Sequence, residues 1–147
     1  MRTHIMIHHS LTSDGFTVSW PAIRRFHVDT NQWLDIGYHY GLESVDDPGA
    51  TKDSLEVLVG RTEDKFAAAC PEGRMNELAI HICVVGNFDL APPSDELLDV
   101  LARRCVRSLM ARYALHAGCI VGHRDYNPKK SCPGKLFDLE RLRRLCR

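Results

Sequence analysis

Leu78-Ala79-Ile80-His81-Ile82-Cys83-Val84-Val85 is the stretch that decides the fold. It is apolar at odd and even positions alike, as a strand covered on both faces should be. Such a strand needs layers of other elements above and below it, and the flanking sequence supplies them. Upstream, His4-Ile5-Met6-Ile7-His8-His9 reads as a second buried strand that ends in polar side chains. Ser19-Trp20-Pro21 reads as a helix start, because proline is tolerated in a first turn. Ala22, Ile23 and Phe26 give that helix an apolar face. Residues 38–42 and 55–59 are rich in aromatic and branched residues and read as strands. Asp46-Asp47-Pro48-Gly49 between them is a turn signal, so the pair is expected to form a hairpin with a long acidic loop. Downstream, Pro92-Pro93-Ser94 stops the chain and caps a long helix. Leu97, Leu101, Cys105, Leu109 and Tyr113 recur in it at four-residue spacing. Ile120-Val121 is one more short strand, and residues 138–146 form a basic closing helix with Asp138 near its start. Strands alternating with helices around one central strand predict an α/β fold: a single domain over residues 1–147, with a central mixed β-sheet flanked by helices.

Composition narrows the function classes. The 147 residues are 44% hydrophobic and 26% charged, ordinary for a globular domain and wrong for a disordered or fibrous one. Nineteen basic residues balance nineteen acidic ones, which gives no global attraction to nucleic acid or anionic membrane. The longest apolar run, residues 78–88, is too short to span a bilayer. No small-residue cleavage site follows the N-terminal apolar segment, so no secretory signal is read. The six cysteines are widely spaced and several fall inside apolar patterns, so most are expected to be reduced thiols in a protein made in the cytoplasm. Residues 124–147 hold eight basic residues against three acidic ones. That tail suits either a solvated helix face or docking on an anionic surface.

Two places combine metal-ligand residue types with the ends of strands. One is His8-His9-Ser10. The other is Gly122-His123-Arg124-Asp125, followed after three residues by Lys129-Lys130-Ser131-Cys132-Pro133-Gly134. Histidine and cysteine are zinc ligands, and a catalytic zinc keeps three protein ligands and one open position. Neighbours on a strand point to opposite faces, so only one of His8 and His9 can join such a site. His39 and His81 read as core residues or as supports for the ligands. No His-Glu-x-x-His helix motif is present.

The strings IMIHHS at 5–10, WLDIGYHY at 33–40, VGR at 59–61, AIHICVVGNFD at 79–89 and VGHRDYNPKKSCPG at 121–134 together resemble the zinc-dependent N-acetylmuramoyl-L-alanine amidases of the type 2 family. The likeness is to the small phage lysozymes (endolysins) in particular, and peptidoglycan recognition proteins share the fold. It runs over nearly the whole chain. It implies zinc ligands at His8, His123 and Cys132, a catalytic tyrosine at Tyr38 and a catalytic lysine at Lys130. The loop from His123 to Cys132 is one residue longer than in the phage relatives, which leaves Lys129 as the alternative to Lys130. Cys70 falls near a position where relatives often carry histidine.

The implied reaction is hydrolysis of the amide joining N-acetylmuramic acid to L-alanine in peptidoglycan, and so cell-wall lysis. Zinc (Zn2+) polarises a carbonyl and lowers the pKa of water toward ~7. Tyr38 and Lys130 are donors for the resulting oxyanion, a role worth roughly 3–4 kcal/mol per good donor. No dedicated carboxylate base is evident. Arg61, Arg74 and Arg124 are candidate contacts for an anionic stem peptide. The expected partner is peptidoglycan, with no nucleic acid and no membrane span, and the chain is expected to act as a monomer on the cell wall after release or export by another factor. Two other readings stay open: a thiol hydrolase with Cys132 as nucleophile and His123 as base, and a non-catalytic peptidoglycan-binding module on the same fold.

Overall fold

The computed structural model describes residues 1–12, 18–44 and 54–147. Its strands are β1 (His4–His9), β2 (Tyr40–Ser44), β3 (Leu55–Val59), β4 (Ala79–Val84) and β5 (Ile120–Gly122). They form one sheet in the order β3-β2-β4-β1-β5. β1, β2, β4 and β5 run parallel, and β3 alone is antiparallel, to β2. The mixed sheet with a central 79–84 strand is as the hydrophobic pattern predicts, and all six residues of β4 are buried. The Asp46-Asp47-Pro48-Gly49 turn lies outside the described residues. The two strands that it joins do pair, with Tyr40 opposite Val59.

Side-chain alternation divides the sheet into two unlike faces. Ile5 and Ile7 of β1, with Ile80, Ile82 and Val84 of β4, belong to the main core, together with Leu98, Leu101, Val106, Leu109 and Leu142. Each such residue, taken out of water, contributes roughly 1.5–3 kcal/mol. The main core therefore anchors the sheet while the opposite face carries polar chemistry. On that second face Met6, Ala79 and Val121 pack with Cys70 and Met75, and Cys83 packs with Trp20 and Ile36. By the same alternation His8 and His81 belong to it.

Three helices begin where Ser19, Ser94 and Asp138 predict, and a further one-turn helix before the central strand is unexpected. α1 (Trp20–Arg25) follows Ser19 and has proline in its first turn. α2 (Met75–Leu78) is a single turn that feeds directly into β4. α3 (Asp95–Leu101) is capped by Ser94, whose Oγ accepts the Leu97 N–H at 3.1 Å. It continues through a widened turn, Ala102–Val106, into α4 (Arg107–Tyr113). α5 (Leu139–Leu145) is capped by Asp138, which accepts the Arg141 N–H at 2.9 Å. Arginines of the basic tail are engaged: Arg141 pairs with Asp95 at 2.7 Å, and Arg143 donates to the Ile120 carbonyl. All six cysteines carry free thiols. No helix among the described residues is long and apolar enough to cross a membrane.

Both boundaries differ from the 38–42 expectation: β2 begins at Tyr40 and runs to Ser44. The His39 N–H still donates to the His81 carbonyl at 3.0 Å. The His81 N–H, however, donates to the His39 ring Nδ1 at 3.0 Å rather than to a backbone carbonyl. The side chain replaces the strand partner, and the ladder stops there.

Candidate metal centre and active site

The carboxyl ends of parallel strands are where α/β sheets place their sites. His8 lies near that end of β1, and His123 directly follows β5, the neighbouring strand. Cys132 comes from the loop beyond. His8, His123 and Cys132 each offer a ligand atom, and the three atoms lie within 4.8 Å of one another. His8 Nδ1 is 3.5 Å from the Cys132 sulfur, and the His8 and His123 ring centroids are 5.1 Å apart. His123 Nε2 is buried without a hydrogen-bond partner among the described residues. Leaving such an atom unmatched costs about 1–3 kcal/mol. Burial holds the His8 imidazole well below its ordinary pKa, with His81 and His123 adding to the effect, and burial also lowers His123. Both rings are therefore neutral with lone pairs available. Two neutral imidazoles and a sulfur fit zinc with one position left open.

His9 is turned away from this group. It is buried, its Nδ1 accepts the Phe88 N–H at 3.2 Å, and its ring stacks on Phe88. Its own N–H donates to the Cys132 sulfur at 3.4 Å.

The Cys132 loop is fastened on both sides. The Arg124 N–H donates to the Cys132 carbonyl at 2.8 Å, and the Arg124 guanidinium grips the carbonyls of Gly134 and Phe137. Asp89 accepts from Ser131 Oγ and from the Lys135 N–H, both at 2.8 Å. Gly122 lets the loop lie directly on β5, since a Cβ there would stand 2.7 Å from Pro133 Cδ.

Cys70, Glu72 and His123 form a second group of close donors, sharing His123. Surroundings separate the two thiols. Burial pushes both up to about 12. Beyond burial, Cys70 donates to Glu72 Oε2 at 3.2 Å, and that carboxylate disfavours a thiolate. Cys132 instead receives the His9 N–H and has Lys130 and Arg124 nearby, all of which favour one. The Cys132 group is the better metal cradle.

An open cavity of about 510 Å³ lies over the three donors. Its lining includes Trp33, Tyr38, Asn76, Lys130 and Ser131. Tyr38 stands with its ring 5.2 Å from that of His8. Burial, with Cys83 and Cys132 beside it, raises its phenol well above the ordinary value, so it stays a protonated donor. Both lysines are exposed, but Lys130 lines the cavity and Lys129 is absent from the lining. The three arginines lie elsewhere. Arg61 donates to the carbonyls of Ile36, Phe66 and Asp35, bracing the segment that leads to Tyr38. Arg74 is exposed and paired with Glu77 at 2.6 Å. Arg124 braces the Cys132 loop as described. None of the three lines the cavity.

Sequence reasoning missed two neighbours of the site. Glu72 places Oε2 3.9 Å from His123 Nε2, and its Oε1 accepts from Asn127 at 2.5 Å. It lies in a short irregular turn with no periodicity to mark it. Trp33 closes one wall of the cavity, and nothing in its spacing distinguishes it from a core aromatic. His81 lies directly behind His8, with its Nδ1 2.8 Å from His8 Nε2.

Comparison with known proteins agrees with this geometry. Residues 2–135 match the Amidase_2 family of N-acetylmuramoyl-L-alanine amidases. The endolysin of Enterobacteria phage T3 is 30% identical over 139 residues, covering 93% of this chain and 82% of the endolysin. The structure of the N-acetylmuramoyl-L-alanine amidase LysC from Clostridium intestinale superposes with a TM-score of 0.77 at 24% identity, over 97% of this chain and 83% of LysC. Drosophila PGRP-LB shares the fold at a TM-score of 0.69 and 21% identity, over 92% of this chain and 76% of that protein. A match spanning all but the ends of the chain, on a sheet that gathers His8, His123 and Cys132 beneath one open cavity, shows that the chain belongs to the N-acetylmuramoyl-L-alanine amidase family, Amidase_2.

Proposed function

We propose that this chain is a zinc-dependent amidase that cleaves the bond between N-acetylmuramic acid and L-alanine in peptidoglycan. The observation that carries the reading is the convergence of two neutral imidazoles and a sulfur under a cavity that also holds Tyr38 and Lys130. His8, His123 and Cys132 would hold the zinc. When bound, zinc supplies Lewis acidity that polarises the amide carbonyl and acidifies water.

The remaining chemistry belongs to the chain. The Tyr38 hydroxyl, kept protonated by burial, donates to the carbonyl oxygen as negative charge develops on it. Lys130 brings a cation to the same cavity and strengthens that stabilisation. Trp33, Leu11 and Ala68 provide apolar wall for the sugar and the alanine methyl, while Asn76 and Ser131 offer polar contacts to an extended peptide. The thiol-hydrolase reading is weaker. The Cys132 sulfur lies 3.5 Å from His8 Nδ1, so its nearest imidazole contact among those described is not the base that reading requires, and burial pushes the thiol up to about 12.

Cys132→Ser tests the reading. The purified wild type is expected to hold one zinc per chain and to release free amino termini from isolated cell wall, with loss of release on chelation and recovery on added zinc. The variant is expected to lose both zinc and activity. Activity that survives chelation would overturn the proposal.

A further inference from the structure

We propose that His81 is the positioning residue that fixes His8 as a zinc ligand through Nδ1, an inference that rests on the zinc reading above. Three contacts in series carry it. His81 Nε2 lies 2.9 Å from the Met75 carbonyl oxygen. A carbonyl can only accept, so His81 Nε2 carries the ring proton. His81 is fully buried and therefore neutral, which leaves its Nδ1 as an acceptor. His8 Nε2 lies 2.8 Å from that Nδ1, so His8 Nε2 carries a proton and donates it. The His8 lone pair is then left on Nδ1, the atom 3.5 Å from the Cys132 sulfur.

Each bond in the series follows from the one before, and the chain of inference starts from a backbone group whose polarity is fixed. Metal-bound histidines usually hold their outer nitrogen against a carboxylate, a carbonyl or water. Here a second imidazole stands between the ligand and the carbonyl. The sheet register makes this possible. His81 lies opposite Met6 and His8 opposite Cys83, so the two histidines occupy diagonal positions on the same face of adjacent strands. Their rings lie edge to edge and nearly coplanar, with centroids 5.0 Å apart and planes 21° from parallel, as an N–H···N bond between imidazoles requires. The backbone at residue 81 is held as well, since its N–H donates to His39.

Two measurements test the assignment. In the zinc-free wild type, long-range ring 1H–15N spectra are expected to show His8 and His81 both protonated at Nε2. His8 protonated at Nδ1 instead would overturn the inference without any substitution. Zinc affinity is then measured by competition with a chelator. His81→Leu removes the acceptor and is expected to weaken zinc binding about 10–100-fold. His81→Asn places Oδ1 at the δ position, where it can accept from His8, and is expected to recover most of that loss. Affinity in His81→Leu equal to the wild type, or equal weakening in both variants, would overturn the hydrogen-bond role. If His81→Leu fails to fold, the ring spectra of the wild type still decide. A wild type that takes up no zinc would overturn the proposed function, which is a separate failure from either of these.

Discussion

Acidification should destabilise the zinc-free protein through His39, by an amount that the structure sets. His39 is fully buried. Its Nδ1 accepts the His81 N–H at 3.0 Å, and its Nε2 donates to the Lys65 carbonyl at 2.9 Å. Burial, with the Arg2 guanidinium adding to it against the opposing Lys65 bond, lowers its pKa from 6.5 to about 4. Above 6.5 the ring is neutral in both folded and unfolded chains, and pH has no leverage on it. Below 6.5 the unfolded chain takes up a proton that the folded chain refuses until near 4. Stability therefore falls across that window, by about 1.4 kcal/mol per pH unit, or roughly 3 kcal/mol in all. Against a total of about 5–15 kcal/mol for a native domain, that is a large share. The assay is urea unfolding by tryptophan fluorescence in the presence of chelator, from about pH 7.5 down to about pH 4.5, on wild type and His39→Asn. Asparagine can accept the His81 N–H but does not titrate. The variant is expected to start less stable and to lose roughly 2–3 kcal/mol less over the same range. Parallel pH profiles for the two proteins would refute the reasoning.

Tyr38→Phe should keep zinc bound while lowering turnover by about 10²–10³-fold, because one oxyanion donor is removed; unchanged turnover with zinc retained would remove Tyr38 from the mechanism. Gly122→Ala should cost about 1–3 kcal/mol of stability by overpacking, since its Cβ would meet Pro133 Cδ at 2.7 Å and Leu139 Cδ1 at 2.9 Å. It should also loosen zinc, because Cys132 precedes that proline; a variant with unaltered melting and zinc retention would show that the loop has room to move.

The parts of this molecule that were legible in the sequence are those governed by periodicity and capping. The unbroken apolar run at 78–85 predicts a central strand, and β4 occupies its middle. Ser94 and Asp138 mark helix starts because their side chains accept backbone N–H groups there, as both do. Residue type at strand ends marked the two regions that hold the candidate ligands, while the choice of His8, His123 and Cys132 within them came from the family resemblance. What could not be read was long-range pairing of side chains with backbone. His39 interrupts β2 by taking the His81 N–H, a bond between residues 42 positions apart. Arg61 and Arg124 suggested substrate contacts because a cationic edge would suit a partly anionic stem peptide. Both hold backbone carbonyls around the site, and the need for those donors arises only once the loops are folded. Glu72 is brought beside His123 by a turn in which Gly73 and Arg74 both have positive φ, a geometry no spacing rule announces.

The order of strands in the sheet has a consequence for synthesis. The first strand made, β1, carries one donor, while the other two emerge only with β5 and the loop ending at Cys132. A ribosome must therefore deliver the chain through residue 132 before the donor set exists at all. Prematurely terminated fragments shorter than that lack the sulfur, so the cradle of His8, His123 and Cys132 cannot close in them.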